Sequence, residues 1–160
     1  LEIDNNRATN TGFGISYALP IVLSALVMSS NKYDVEPLTL SAKDWFDNNS
    51  ERPSILIVEN PEAHLHPCGQ TALGRLLSSV SDCGVQVLVE THSDHFIDGV
   101  RLERKHKKTS PSKTNLYFFE KSTTGETKKT EIKVNDNGKL SNWPKGFFDQ
   151  TTINLRELAK

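Results

Sequence analysis

The run Ser54-Ile-Leu-Ile-Val58, followed at once by Glu59-Asn-Pro-Glu-Ala-His-Leu-His-Pro67, constrains this chain more than any other stretch. A short, almost wholly apolar run rich in β-branched residues predicts a strand buried on both faces, as in a parallel sheet. It ends abruptly in acidic and histidine side chains, and in open α/β sheets chemistry sits at the carboxyl ends of the strands. A buried strand that delivers a carboxylate to that edge has the form of an element that orders the Mg²⁺ of a bound nucleotide. Glu59 is the residue so placed. An acidic loop after an ordinary strand fits the same residues equally well.

The arrangement then repeats. Ala72, Leu73, Leu76, Leu77 and Val80 share one stripe of a helix over residues 70–80, and Gly84 opens a second apolar run, Val85-Gln-Val-Leu-Val89. A strand-helix-strand crossover makes parallel, right-handed neighbours, so both strand ends emerge on one rim. As direct neighbours, Glu59 and the segment Glu90-Thr-His-Ser93 would start roughly 5 Å apart. Glu59 and His92 thus converge, although more than thirty positions separate them.

With Glu90-Thr-His-Ser-Asp-His95 added to the 59–67 block, the pattern resembles the Walker B, D-loop and switch-histidine segments of ABC-type ATPases, in the SMC/RecF/OLD-like branch. Asn10-Thr-Gly-Phe-Gly-Ile-Ser-Tyr-Ala-Leu-Pro20 resembles that branch's degenerate signature segment. Residues 137–150, from Asn137 to Gln150, resemble a C-terminal domain of unknown function found on one bacterial subgroup. The resemblance implies an α/β, parallel-sheet P-loop NTPase fold (ABC ATPase-like), of which residues 1–106 are the C-terminal portion. Residues 107–160 add a β-hairpin and a C-terminal helix. It also implies ATP and Mg²⁺ as cofactors, with Glu59 as the catalytic-site residue that ligates and orders the Mg²⁺ and His92 as the γ-phosphate switch. Asn60 and His66 become nucleotide-site residues, and Asn10, Thr11, Gly12 and Gly14 hold the γ-phosphate of the other protomer in a homodimer. Its biology is bacterial DNA maintenance or phage defence in the cytoplasm, with DNA and a nuclease or other effector subunit among the partners.

Two features depart from that pattern. No G-x-x-x-x-G-K-[ST] occurs, so nothing here cradles the phosphates of a nucleotide. The expectation is that Walker A lies in an N-terminal half upstream of Leu1, and that these residues alone do not hydrolyse ATP. Beside the metal-ordering acid, where most ABC ATPases place a second glutamate, stands Asn60, which cannot accept a proton. Either Glu62 takes the general-base role, or ATP acts mainly as a clamp.

At 160 residues, 36% hydrophobic and with net charge −1, the chain is an ordinary globular domain with no overall bias toward nucleic acid. Cys68 and Cys83 flank a helix without secretory features, which favours reduced thiols. The apolar run Leu19 to Met28 is about half of a membrane span. From Ile15, the residues Ala18, Leu19, Val22, Ala25 and Leu26 recur on one helical face; Pro20 should start or kink that helix. The small residues before it fit an anion-binding helix start or a capped core helix. A short helix over Ala42 to Asp47 is expected, with Trp45 and Phe46 as anchors. Arg104-Lys-His-Lys-Lys108 reads as a basic loop, Asn115–Glu120 and Lys128–Val134 as a hairpin about Thr124-Gly125, and Thr152 as the cap of a last helix.

A different class of function uses the same rim. His64, His66, His92 and His95, with Glu59, Glu62 or Asp94, would suit a metal-dependent hydrolase. A non-catalytic scaffold is the third reading.

Overall fold

The computed structural model describes residues 2–3, 6–7, 12–30, 54–107 and 114–160. Asn10, Thr11, Trp45, Phe46 and the expected helix over 42–47 lie outside the described residues.

A two-residue antiparallel pair, β1 (Glu2–Ile3) and β2 (Asn6–Arg7), precedes helix α1 (Phe13–Ser29). Strand β3 (Ser54–Glu59), helix α2 (Pro67–Asp82) and strand β4 (Val85–Glu90) form the crossover unit, followed by helix α3 (Asp94–Lys107). β3 and β4 pair in parallel, from Ser54 against Val85 to Glu59 against Glu90. Strands β5 (Asn115–Lys121) and β6 (Thr127–Lys133) make the antiparallel hairpin, and α4 (Gln150–Leu158) ends the chain. The result is a mixed α/β fold with a small parallel sheet.

One core lies between the sheet and its helices. Leu56 and Val58 of β3 and Val85 of β4 meet Leu73, Leu77 and Val80 of α2, Ala25 of α1 and Phe96 of α3. Of the stripe expected on α2, Leu73, Leu77 and Val80 are buried, while Ala72 is exposed. Burying one such leucine contributes roughly 1.5–3 kcal/mol. Pro67 occupies the first turn of α2, where its missing N–H is not needed, and His66 caps that turn by accepting from the Cys68 amide at 3.4 Å. α2 and α3 approach until backbone meets backbone. A Cβ on Gly74 would strike the Phe96 carbonyl, and one on Gly99 would strike that of Thr71.

Several expectations need correction. β3 is not buried on both faces. Alternate residues point to opposite sides, so Leu56 and Val58 enter the core while Ile55 and Ile57 stay exposed, Ile57 by 66%. Leu88, the partner of Ile57, is 59% exposed, and no described element covers this side. α1 runs through Pro20, which rules out a helix start there but not the kink that was the other expectation, and of its expected face only Ala25 is fully buried; Ile15 and Leu26 are exposed. The Arg104–Lys107 run is not a loop but the last turn of α3, with Arg104 only 2% exposed, because the helix periodicity carries that long stem inward. Thr152 caps nothing. α4 begins two residues earlier with Asp149 at its N-cap, whose carboxylate instead accepts from the Gly146 amide at 2.9 Å.

The hairpin matches its expected strands, turning through Ser122–Gly125, with the Gly125 amide donating to the Ser122 carbonyl at 2.9 Å. Its inner face packs Ile132 and Phe118, and Phe118 meets Phe147 edge-on at 5.6 Å between centroids. The segment after β6 is tied to α3 where Arg101 Nε donates to the Gly138 carbonyl at 2.9 Å. Cys68 and Cys83 are both free thiols. Among the described residues, no helix is long and apolar enough to cross a membrane.

Candidate functional site

The parallel pairing fixes the site. Paired residues in adjacent strands point to the same side, so Glu59 and Glu90 stand side by side at the carboxyl ends of β3 and β4, both exposed, on the side that carries Ile57 and Leu88. The Tyr17 hydroxyl of α1 donates to the Glu59 carbonyl at 3.1 Å, satisfying a group that the strand leaves open.

The chain then turns sharply. The Asn60 amide donates to the Glu90 carbonyl at 2.9 Å, continuing the ladder by one bond, while its backbone enters the left-handed region at φ 47°, which asparagine tolerates better than most residues. The turn returns Glu62 to the end of β4. There one carboxylate oxygen accepts from the His92 amide at 2.6 Å and the other from the Thr91 hydroxyl at 2.7 Å. Thr91 accepts in turn from the Ser93 amide at 3.1 Å, and the Ser93 hydroxyl donates to Gln70 at 2.6 Å and caps α3 by accepting from the Phe96 amide. Gln70 Nε2 closes the circuit on the Leu65 carbonyl at 2.9 Å. The 60–66 turn and the 91–93 segment are thereby one bonded unit.

On that unit His92 projects outward. Its side chain is 82% exposed, and its Nε2 lies 3.0 Å from a Glu90 oxygen. Glu59, Glu62, Glu90 and His92 therefore share the rim. Glu90 had no role in the sequence reading, although it ends β4 as Glu59 ends β3, and that parallel was its signal.

The other named residues lie around this centre without joining it. His64, at φ 62°, sets its ring against Phe13 and Tyr17, at centroid distances of 5.8 and 6.2 Å. Gly14 faces its backbone, where an added Cβ would come 2.6 Å from the His64 carbonyl oxygen. The start of α1 thus abuts the 60–66 turn, and Gly12 precedes it with no side-chain cap. His66 caps α2, and His95 lies on α3 with its Nε2 3.9 Å from its neighbour Asp94. The four histidines do not converge. Among the described residues, no group of three or more histidine, cysteine or acidic side chains is placed to hold a metal ion, which removes the hydrolase centre expected from the four histidines.

A groove of about 450 Å³ runs between α1 and the outer edge of β3, lined by Tyr17, Pro20, Ile21, Ile57 and Glu59 among others. Its lining is mostly apolar and contains no lysine or arginine, so it does not suit a polyphosphate.

No curated protein and no solved structure is significantly similar to the chain. Residues 109–158 match a family described as a protein of unknown function, DUF3696. Residues 4–97, more than half of the 160, match the family described as AAA ATPase domain. That span contains α1, both parallel strands and the whole rim, and the chain belongs to the AAA ATPase domain family.

Proposed function

We propose that this chain is the catalytic-edge portion of an ATP-hydrolysing ABC-type ATPase of the SMC/RecF/OLD-like branch. The observation that carries the reading is the direct pairing of Glu59 with Glu90 at the ends of two parallel strands, with His92 beside them. The rim's donor set fits a hard cation, because Glu59 and Glu90 offer carboxylate oxygens and no thiolate. Mg²⁺ held by Glu59 would neutralise charge on the phosphates of ATP.

The remaining roles belong to the chain's own side chains. Glu62 holds the His92 backbone and fixes where the imidazole starts. His92, with its side chain exposed, can donate to a γ-phosphate oxygen from the strand end. The phosphate-cradling loop is proposed to come from a segment outside these 160 residues, and the open sheet face of Ile57 and Leu88 suits packing against it. The start of α1, at Gly12 and Gly14, would meet the γ-phosphate of a second protomer in an ATP-bridged homodimer. The setting is cytoplasmic, in bacterial DNA maintenance or defence, with an effector subunit.

A specific observation favours a slower variant of this reading, in which ATP acts as a clamp. Both Glu62 oxygens already accept hydrogen bonds, and the residue next to Glu59 is Asn60, so neither offers a free general base. The test is Glu59→Gln in the intact protein. Mg²⁺-dependent ATP hydrolysis should fall while the fold, read by circular dichroism, is retained; hydrolysis at the wild-type rate would remove Glu59 as the metal-ordering acid.

A further inference from the structure

The outer face of the β5–β6 hairpin carries side chains that its inner packing does not explain. Antiparallel partners share a face, so the pairs Tyr117–Glu131, Phe119–Lys129 and Lys121–Thr127 stand together, and every one of these residues is exposed. Tyr117 is 48% and Phe119 59% exposed, although two aromatic rings on one strand face are what a hairpin would normally bury. The inner face already buries Ile132 and half-buries Leu116 and Phe118, so the outer rings are not needed for the fold. They stand two residues apart on β5, which sets them roughly 7 Å apart along the strand.

Around the rings the charge is mainly positive. Lys121, Lys129 and Lys133 lie on this face, against one acid, Glu131. Lys129 Nζ sits 4.9 Å from the centre of the Tyr117 ring. An ammonium over an exposed ring is held more weakly than a stacked base would be, so a base can displace it, and the freed ammonium stays within reach of the adjoining phosphate.

We propose that this face binds single-stranded DNA, with successive bases stacked on Tyr117 and Phe119 and the backbone phosphates met by Lys121, Lys129 and Lys133. Two rings and three ammonium groups answer the alternation of flat base and charged phosphate, whereas a protein partner would not need the cations. Pyrimidine-rich DNA is the preferred occupant, because its bases are the least stacked on each other and are free to lie on the rings. This surface is separate from the rim at Glu59, and binding is measured without nucleotide, so its outcome does not depend on the ATPase reading.

The experiment uses the full chain, a fluorescent oligothymidylate of about 20 nucleotides and anisotropy at several salt concentrations. Wild type should bind with a log–log salt slope of roughly −2, as three phosphate contacts on a single strand require. Tyr117→Leu with Phe119→Leu should weaken binding by about tenfold or more while leaving the melting temperature unchanged. Lys129→Gln with Lys133→Gln should flatten the slope by about 1.4. Absence of binding, indifference to the ring substitutions, or equal affinity for duplex DNA of the same length would overturn the proposal. Tighter binding of oligouridylate than of oligothymidylate would overturn the assignment to DNA.

Discussion

Glu62 and His92, thirty positions apart, are joined by a hydrogen bond of 2.6 Å from the His92 amide to the Glu62 carboxylate. The same carboxylate takes the Thr91 hydroxyl at 2.7 Å, so the turn after β3 and the end of β4 are bonded to each other through one side chain. A carboxylate committed to two donors positions its neighbours and is poorly placed to accept a proton from water. Glu62→Ala should destabilise the fold by about 1.5–3 kcal/mol, since it strands an amide and a hydroxyl that a charged acceptor had satisfied. Denaturant unfolding measures this. Unchanged stability, with turnover lost in Glu62→Gln, would instead mark Glu62 as a free general base.

Gly74 tests the helix contact. Alanine is favoured over glycine inside a helix by about 0.8–1.0 kcal/mol, yet here its methyl group would enter the space of the Phe96 carbonyl. Backbone cannot rotate away as a side chain can, so overpacking wins. Gly74→Ala should lose about 1–3 kcal/mol in thermal or denaturant unfolding. A more stable variant would mean that α2 and α3 are not held this closely.

Arg75 and Glu103 tie the same two helices by charge. Arg75 Nε lies 3.1 Å from the Glu103 carboxylate, which also accepts from the Ser79 hydroxyl at 2.9 Å. Glu103 is buried while Arg75 is partly exposed, so the loss on Arg75→Ala should fall at the low end for charged hydrogen bonds, about 1.5 kcal/mol. Arg75→Ala combined with Glu103→Ala should lose less than the sum of the single changes; strict additivity would show that the pair is not coupled.

What was legible in the sequence follows period and chain order. The β3 and β4 runs could be read because a continuous apolar stretch closed by polar residues has few other uses, and the crossover between them dictated parallel ends. Glu59 and His92 were brought together by that logic alone. The burial of only one sheet face was not legible, since Ile57 looks the same as Leu56 until the elements that cover each side are known. Nor was the inward course of Arg104 within a basic run, because charge suggests solvent and only the helix phase overrides it. The double acceptance by Glu62 depends on the left-handed turn at Asn60 and His64, a backbone feature that side-chain patterning does not encode. The close approach at Gly74 depends on how two helices cross, which lies beyond either helix's own sequence.

The most direct test of the rim is His92→Ala in the intact protein, with turnover and ATP affinity measured on the same folded sample. The imidazole is 82% exposed and its contact with the half-exposed Glu90 carboxylate is a surface one, so its removal should change the melting temperature little. A hydrogen bond made mainly in the transition state contributes about 2.7–4 kcal/mol, so turnover should drop roughly a hundred- to thousand-fold with affinity nearly constant. A stable His92→Ala that hydrolyses ATP at the wild-type rate would contradict the assignment of this rim as the catalytic edge.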